Sequence, residues 1–475
     1  MKMKSILGTA IRRAAITMIA ALGMCGAVAA QDAQSSPPAA APSENGVYAA
    51  PPQPPVDATG APTALTFQDA LKLARKNSPT FLSAMTDFAL AHEDKVQSRA
   101  GLLPNVNFVT QAIYTPLTDH KTDPKTNTTA TNGFIAANGV HEYISQGNVH
   151  EALSLDGFGS FRHAQAAEAL ARARSEIAAR GLVLTVVQAF YGSVIAQRKY
   201  ATAQKLDEEG RRFLSISQKL ENGGEVAHAD VIKAHLQSNQ QSRDLKEAQL
   251  AMDRARLNLA VLIFPDFRQN FSTVDDLQSP DPLASMDEVR AAAGRKNPEL
   301  RAALASVDVA KGDVTSAWGG LLPSLSFDYF YGIDAPHFAT KTGDLNNLGY
   351  STTATLQFPV FSWGAGVSKL KQAHLRRTQA QVELSFAQRQ FLANLQSFYD
   401  EARISRSELE SLQQSAELAA ESLRLTTLRY EAGESTVLEV VDAQNTLAQS
   451  RNAYDDGQAR YRTALANLQT LTGNP

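Results

Sequence analysis

One short motif occurs twice in this chain and indicates how the chain is organised. The stretch GLLPNVNF at residues 101–108 returns as GLLPSLSF at residues 320–327. The residues before the motif are repeated too, as RKNSP at 75–79 and RKNP at 295–298. Ordered self-similarity of this kind marks a duplicated unit, so the sequence predicts two equivalent halves.

Landmarks downstream of the motif recur in the same order. QAFY at 188–191 is matched by QSFY at 396–399, and a Gly-Glu pair at 224–225 is matched by one at 433–434. Chance repetition of single helices does not preserve such an order. We therefore interpret the chain as a first repeat at residues 65–270 and a second repeat at residues 271–475.

Each half is predicted to hold a helix, two extended segments, a very long helix and a shorter returning helix. The predicted helices span 66–100 and 286–319, then 160–220 and 366–431, then 227–263 and 436–471. No proline occurs between Phe161 and Phe264 or between Val360 and Asn474. Since proline costs ~3 kcal/mol inside a helix, its absence permits helices of this length.

The long helices carry a stripe that alternates four-residue and three-residue steps. In the second half it comprises Phe391, Leu395, Phe398, Ala402, Ser405, Leu409, Leu412, Ala416, Ala419, Leu423, Thr426 and Tyr430. The returning helix continues the pattern with Val440, Ala443, Leu447, Ser450, Tyr454, Gly457, Tyr461, Ala464, Leu468 and Leu471. Such a period favours antiparallel coiled-coil hairpins, although an ordinary antiparallel bundle shares it.

Period-two alternation indicates strands, most clearly at residues 325–331 and 350–358 of the second half. With two such segments in each half, the chain has four. Four strands cannot close a barrel, so either the sheet packs on helices or several chains contribute strands to one barrel. The predicted fold class is mainly α with a small β part.

The amino terminus predicts export. Residues 1–30 combine four basic residues, an apolar run from Ala14 to Val28 and a small-residue end, which is typical of a signal peptide cleaved after Ala30. Residues 31–64 are rich in Pro and Ala and are predicted to be a disordered linker. The single cysteine, Cys25, is either removed with the signal or carries a lipid.

Composition excludes several classes of protein. Without the four basic residues of the signal, 41 basic residues face 48 acidic ones, a net charge of −7, and no basic block points to nucleic acid. No apolar stretch of about 18 residues follows the signal, so no membrane-spanning helix is predicted. No catalytic motif is present, so neither an enzymatic activity nor a cofactor is predicted.

Two further stretches resemble the TolC family of outer-membrane efflux proteins over about residues 65–473. LQFPVFSWG at 356–364 resembles the family's junction between strand and long helix, and YEAGESTVLEVVDA at 430–443 resembles its second hairpin tip. The resemblance implies a homotrimer whose four strands per chain form a twelve-stranded barrel in outer-membrane lipid. The helices then form a tunnel through the periplasm.

The resemblance also implies partners and a passive role. A periplasmic adaptor docks at the hairpin tips, and an inner-membrane pump or ABC exporter supplies the energy. The chain is then the exit duct of an efflux pump or type I secretion system. A soluble periplasmic scaffold or adaptor is the alternative, and the alternating strands argue against it.

Candidate site residues cluster at the two tips. Glu439 and Asp442 match the family's acidic ring at the tunnel entrance, and Tyr430 and Asp230 match contacts that hold the entrance shut. The predicted adaptor-docking residues are Gly223, Gly224, Glu225, Gly433, Glu434 and Ser435. Ser435 stands where the family has a basic residue, and Ala229 stands where it has a hydroxyl.

One pair of residues admits a metal site. His228 and His235 are seven residues apart and can share a helix face. Scattered surface histidines are the simpler interpretation, and no metal site is predicted.

Overall fold

The computed structural model describes residues 63–115, 120–122, 125, 129–131, 141–278 and 282–473. The predicted signal peptide, Cys25 and nearly all of the predicted linker lie outside the described residues. Eight helices lie within them. They are α1 (Phe67–Asn77), α2 (Pro79–Ala100), α3 (Leu155–Asn222), α4 (His228–Ile263), α5 (Met286–Lys296), α6 (Pro298–Gly319), α7 (Ala365–Glu431) and α8 (Val437–Thr472).

The helices of the first four and the last four correspond in length. α1 and α5 have 11 residues each, α2 and α6 have 22, and α4 and α8 have 36. The longest pair, α3 and α7, have 68 and 67 residues. At 1.5 Å per residue each is about 100 Å long.

The first predicted helix of each half is wrong in one respect, because the structure divides it in two. The breaks fall at Ser78 and Asn297, whose ψ angles of 116° and 120° are extended rather than helical. A proline follows each of them, and proline disfavours the helical conformation in the residue before it. Ser78 and Asn297 also cap the second helix by accepting from the amides of Phe81 and Leu300.

The coiled-coil stripe is confirmed. Every predicted stripe position of α7 and α8 is buried or half-buried, including Ser405, Gly457 and Tyr461. Small residues at these positions let the two helices approach closely. A Cβ on Gly457 would lie only 2.7 Å from the side chain of Leu412, closer than such atoms can approach.

The described residues also contain ten strands, four of them long. They are β1 (Thr63–Leu65), β2 (Asn105–Tyr114), β3 (His120–Thr122), β4 (Thr129–Thr131), β5 (His141–Leu153), β6 (Phe271–Thr273), β7 (Ser324–Ala335), β8 (Lys341–Thr342), β9 (Leu345–Asn346) and β10 (Leu348–Gln357). The four long strands form one antiparallel sheet in the order β10-β7-β5-β2. Within the described chain, β2 and β10 are therefore its two open edges.

The register gives this sheet two different faces, because paired residues point the same way. Most residues on one face are apolar, namely Val106, Phe108, Ala112, Tyr114, Tyr143, Val149, Leu153, Leu325, Phe327, Tyr329, Tyr331, Ile333, Tyr350, Ala354 and Leu356. Most residues on the other are polar, namely Asn105, Asn107, Gln111, Gln146, Asn148, His150, Ser324, Ser326, Asp328, Asp334, Ser351, Thr353, Thr355 and Gln357. The polar exceptions on the apolar face are Thr110, His141, Ser145, Glu151 and Thr352, and the large apolar exceptions on the polar face are Val109, Ile113, Ile144 and Phe330.

The helices that adjoin the sheet are neighbours in the same order as its strands. Near the sheet, α2 packs against α3, α3 packs against α6, and α6 packs against α7. Farther from the sheet, α3 packs against α4 and α8, and α8 packs against α7. The contact between α3 and α6 is close because glycines lie in it. A Cβ on Gly319 would collide with the backbone of Asp156, and one on Gly312 would lie 2.6 Å from the amide nitrogen of His163.

The main core lies in the middle of α3. Phe190, Val186 and Val194 are buried there against Ile263 of α4 and Ala70 of α1. The parallel pair β1–β6 borders this core through Leu65 and Phe271, two further members of it.

One helix of the described chain is long and apolar enough to cross a membrane, by length and composition only. α3 contains an 18-residue window with a mean hydropathy of 1.4, and 44% of that window is buried within the chain. The sequence prediction required an unbroken apolar run, whereas this window is interrupted by polar residues. A helix buried in a protein core has the same composition.

Candidate functional site

The two hairpin tips have the same backbone geometry. Each long helix ends in a glycine with a left-handed backbone, Gly224 with φ 78° and Gly433 with φ 77°. The amides of Glu225 and Glu434 then donate across the turn to the carbonyls of Leu220 and Arg429, at 2.9 and 2.8 Å. This is the Schellman end of a helix, which requires glycine because a Cβ strains that conformation.

The helices that leave the tips begin differently. At the second tip Thr436 accepts from the amide of Glu439, and the Glu439 carboxylate accepts from the amide of Thr436, which is a capping box. At the first tip the corresponding position is Ala227, which has no side chain able to cap α4. The start of α8 at the second tip is therefore better stabilised than the start of α4 at the first.

Glu439 is an exposed carboxylate held in place by its own tip. Its oxygens accept from the hydroxyls of Ser435 and Thr436, at 2.8 and 3.1 Å, and one lies 3.9 Å from the Arg429 guanidinium. The Ser435 hydroxyl, more than any other group, holds the pKa of Glu439 below its ordinary value. Asp442 lies one turn further along α8 and is exposed.

Tyr430 lies in the core at the end of α7. Its side chain is 2% exposed, its ring packs against Phe213 with centroids 5.0 Å apart, and its hydroxyl donates to Oγ of Ser217 at 3.0 Å. Ser217 in turn donates to the carbonyl of Phe213. Burial raises the pKa of Tyr430, so the phenol stays protonated and remains a donor.

The structure does not bring Tyr430 and Asp230 into a hydrogen bond within the chain. The Asp230 carboxylate lies 3.5 Å from Nζ of Lys233 instead. It is still close enough for its charge to contribute to the raised pKa of Tyr430. The sequence did not identify Ser217 as the partner, because nothing in a local motif links a residue of α3 to one of α7.

Sequence reasoning also missed a basic residue at the second tip. The guanidinium of Arg429 donates to the carbonyl of Glu434 at 3.1 Å, bridging the turn. Arg429, which the turn brings near Glu434, therefore supplies a cation at the tip. The spacing of five residues that defines the Schellman turn could have identified it.

His228 pairs with a carboxylate at the first tip. Its Nδ1 lies 2.6 Å from Oε1 of Glu221 across the turn. Among the residues that the structure describes, no cluster of three or more His, Cys, Asp or Glu side chains could hold a metal ion.

Comparison with known proteins places the fold. A family model described as outer membrane efflux protein matches residues 290–474, which lie in the second half. The outer membrane channel CmeC of Campylobacter jejuni has the same fold, with a TM-score of 0.73 at 17% identity over 86% of this chain and 85% of that one. The predicted class, mainly α with a small β part, is confirmed.

Curated relatives match nearly the whole described chain. The alkaline protease secretion protein AprF of Pseudomonas aeruginosa is 23% identical over 419 residues, covering 86% of this chain and 85% of that protein. The outer membrane protein TolC of Vibrio cholerae is 25% identical over 416 residues, covering 84% and 89%. Over most of its length this chain is similar to the TolC family of outer membrane efflux proteins.

Proposed function

We propose that this chain is one subunit of a channel in the bacterial outer membrane, the passive exit duct of an efflux or secretion system. The observation that carries the proposal is the amphipathic four-stranded sheet with two open edges, joined to helices about 100 Å long. Its apolar face suits lipid, and its polar face, where His150 and Asp328 pair at 2.8 Å, suits a water-filled lumen.

The open edges call for further copies of the chain. In hydrocarbon an unpaired strand edge leaves backbone groups without hydrogen bonds, so a sheet must close on itself to span a membrane. Strands of ten to thirteen residues are long enough to span when tilted. Three copies would supply twelve strands, an even number within the range of known barrels.

The outer helices support the same assembly. α2 and α7 lie at opposite edges of the helical layer near the sheet, and each exposes large apolar side chains. Those on α2 are Leu82, Met85, Leu90 and Val96, and those on α7 are Val367, Leu375, Val382, Phe386 and Leu392. Because the two edges differ, the contact between copies is head-to-tail, and we propose that its rotation closes a ring after three copies. The helices of three copies would then enclose a periplasmic tunnel.

The tips supply the proposed entrance. In a homotrimer Glu439 and Asp442 would each form a ring of three carboxylates, which attracts cations. Tyr430 and Asp230 are proposed to hold the hairpins in the closed position. The turns at Gly223, Gly224 and Glu225 and at Gly433, Glu434 and Ser435 are the proposed contacts for a periplasmic adaptor.

The relatives suggest the setting of the channel. AprF is a protease secretion protein, and CzcC of Cupriavidus metallidurans is a cobalt-zinc-cadmium resistance protein. Cargo therefore varies among relatives, as expected for a duct that carries out no chemistry itself. An adaptor and an inner-membrane pump or ABC exporter would supply selection and energy. We propose residues 65–270 and 271–475 as the two repeats, preceded by a signal peptide and linker.

A test of the assembly compares two neighbouring residues of α7. Val382 is one of the exposed apolar side chains of α7 named above, and Glu383 is exposed about 100° around the helix from it. The purified protein in detergent is expected to have the mass of a trimer, to fall to monomers on heating and to conduct ions in planar bilayers. Val382→Lys should yield monomers, whereas Glu383→Lys should leave the trimer intact.

The opposite results would contradict the proposal. A protein that is monomeric and soluble without detergent would instead fit a periplasmic scaffold. A trimer that forms but conducts no ions in any condition would retain the assembly and exclude the duct.

A further inference from the structure

A long cavity lies between the first hairpin, α3 with α4, and the second hairpin, α7 with α8. We call it the hairpin cavity. Both α4 and α8 pack on α3 but contact each other far less, so they form two walls above a floor supplied by α3. The cavity has a volume of about 640 Å³. Its floor runs from Gly192 to Leu206, about 21 Å at 1.5 Å per residue, which suits a linear occupant.

The floor of the hairpin cavity is apolar and is kept open by small residues. Gly192, Ala196 and Ala203 line it, together with the buried side chains of Ile195 and Leu206. A Cβ on Gly192 would meet no atom within 4 Å. Since covering apolar surface is favourable, the floor favours an occupant with a hydrocarbon part.

The walls carry hydrogen-bond acceptors that lack a donor. Gln241 of α4 is 5% exposed, and its amide nitrogen donates to Oε1 of Gln444 at 2.9 Å. Its own Oε1 has no hydrogen-bond partner within the described chain, and neither has Oδ1 of Asn452 on α8. Both residues line the cavity. A buried acceptor without a donor costs about 1–3 kcal/mol, so these oxygens favour an occupant that donates hydrogen bonds.

Two carboxylates add negative charge to the α4 wall. Asp244 and Glu247 both line the cavity and are exposed, about 5 Å apart along the helix axis. Within the described chain neither forms an ion pair. Lys199, a cation that also lines the cavity, is paired with Asp456 at 2.7 Å. The cavity therefore has negative charge that the described chain leaves unneutralised, and it favours a cationic occupant.

We propose that the hairpin cavity binds a linear polyamine, a hydrocarbon chain that carries several ammonium groups. Its methylene groups cover the apolar floor. Its ammonium groups donate charge-assisted hydrogen bonds to the two carboxylates of the α4 wall and hydrogen bonds to the two unpartnered amide oxygens. An anion or a neutral apolar molecule would leave those acceptors unpaired. Because the acceptors lie on both hairpins, the bound polyamine ties α4 to α8.

The test measures the binding of radiolabelled spermidine to the purified full chain in detergent by equilibrium dialysis. The protein carries Glu439→Gln and Asp442→Asn throughout, so that the acidic pair at the second tip cannot contribute. We expect one site per chain. Asp244→Asn with Glu247→Gln should weaken binding at least about tenfold, because both charged acceptors are lost.

A matched pair of substitutions controls for the change in charge. Glu208→Gln with Asp253→Asn removes the same charge from exposed positions of α3 and α4 that do not line the cavity. This control should leave the affinity for spermidine unchanged. Equal weakening by the two pairs would show diffuse attraction to an acidic protein and would overturn the proposal.

Two further comparisons test the shape of the site. Ala203→Leu fills part of the floor without changing the charge, and it should also weaken the binding of spermidine. Hexaamminecobalt has the same charge as spermidine but no hydrocarbon chain, so it should bind the cavity more weakly. An affinity that Ala203→Leu leaves unchanged would place spermidine elsewhere, and equal affinity for the two cations would show attraction by charge alone. Either result overturns the proposal.

Two results would show that something else fills the hairpin cavity. If spermidine does not bind at all, water alone satisfies the unpartnered oxygens. If spermidine binds only after the copies of the chain are dissociated, a neighbouring copy covers the cavity in the assembly. Both results overturn the proposal, and neither bears on the proposed function, because binding is measured without conduction.

Discussion

The hydroxyl of Tyr430 donates a hydrogen bond to Oγ of Ser217, and this bond joins the end of α7 to the end of α3. The two residues are 213 positions apart in the chain. They belong to different hairpins, so the bond must break if the second hairpin moves away from the first. Because both side chains are buried, neither regains a partner in water unless the tip opens.

Removing the Tyr430 hydroxyl should therefore loosen the closed tip. Tyr430→Phe leaves the Ser217 oxygen without its buried donor, at a cost of about 1 kcal/mol. We expect a higher single-channel conductance, and Ser217→Ala should raise it too. If the bond is the relevant contact, the double variant should have little further effect.

A half-buried tyrosine far from the tip provides the control for that experiment. The hydroxyl of Tyr200 accepts a hydrogen bond from Gln204 on the same helix, so Tyr200→Phe should leave conductance unchanged. An unchanged conductance in Tyr430→Phe as well would show that the bond plays no part in closure.

The acidic residues at the second tip should bind multivalent cations in the assembled channel. We expect cations such as hexaamminecobalt to block the ionic current, and Glu439→Gln with Asp442→Asn to abolish the block. The amide substitutions are chosen because glutamine retains the capping box, whereas alanine would also weaken α8. Glu434→Gln, at the tip but outside the pair, is the control, and a block that survives in the double variant would contradict the ring.

The start of α8 should lose stability in acid. Charged Glu439 accepts the capping hydrogen bonds, and its pKa lies below the ordinary value of 4.5. The stabilisation is therefore complete above about pH 4.5 and is lost as the pH falls through the lowered pKa. The protection factors of the amides of residues 437–440, which correct for the intrinsic slowing of exchange in acid, should fall in that range, and Glu439→Gln should abolish that fall.

The two tips should respond oppositely to changes at their capping positions. Thr436→Ala removes a cap and should destabilise the start of α8 by about 0.5–2 kcal/mol. Ala227 already has the extended backbone of a cap, so Ala227→Ser should stabilise α4 by a similar amount. Amide exchange at each helix start measures both effects, and equal protection in the variants and the native chain would refute the assignment.

Gly319 should be intolerant of a side chain, unlike its neighbour. A Cβ there collides with the backbone of Asp156, whereas the nearest atom to a Cβ on Gly320 is a carbonyl oxygen 3.7 Å away. Gly319→Ala must separate α6 from α3 and should cost about 1–3 kcal/mol, while Gly320→Ala should cost less than 1. Trimer melting, followed on heated gels, compares the two.

Much of this architecture could be predicted from the sequence because the sequence repeats. The duplicated motif, the proline-free spans and the four-and-three stripe each depend on spacing within one helix or strand, which sequence displays directly. The breaks at Ser78 and Asn297 could have been predicted, since a proline follows each. They were not predicted, because the helical pattern continues on both sides of them.

The candidate site at the hairpin tips could be predicted from the sequence only in part. Glycines at 224 and 433 are visible because one backbone conformation demands them. The partner of Tyr430 was not, because Ser217 reaches it only when two hairpins pack side by side. Likewise Arg429 bridges its tip through a turn that brings residues five apart together.

Local spacing in the sequence is enough to predict the two halves, their helices and strands, and the turns between them, because spacing sets whether a segment can bury one face. Which elements become neighbours depends on how the chain packs over long range. The order β10-β7-β5-β2 leaves two strand edges open, and the register gathers the apolar residues on one face. Those properties arise from long-range pairing, which no local pattern specifies.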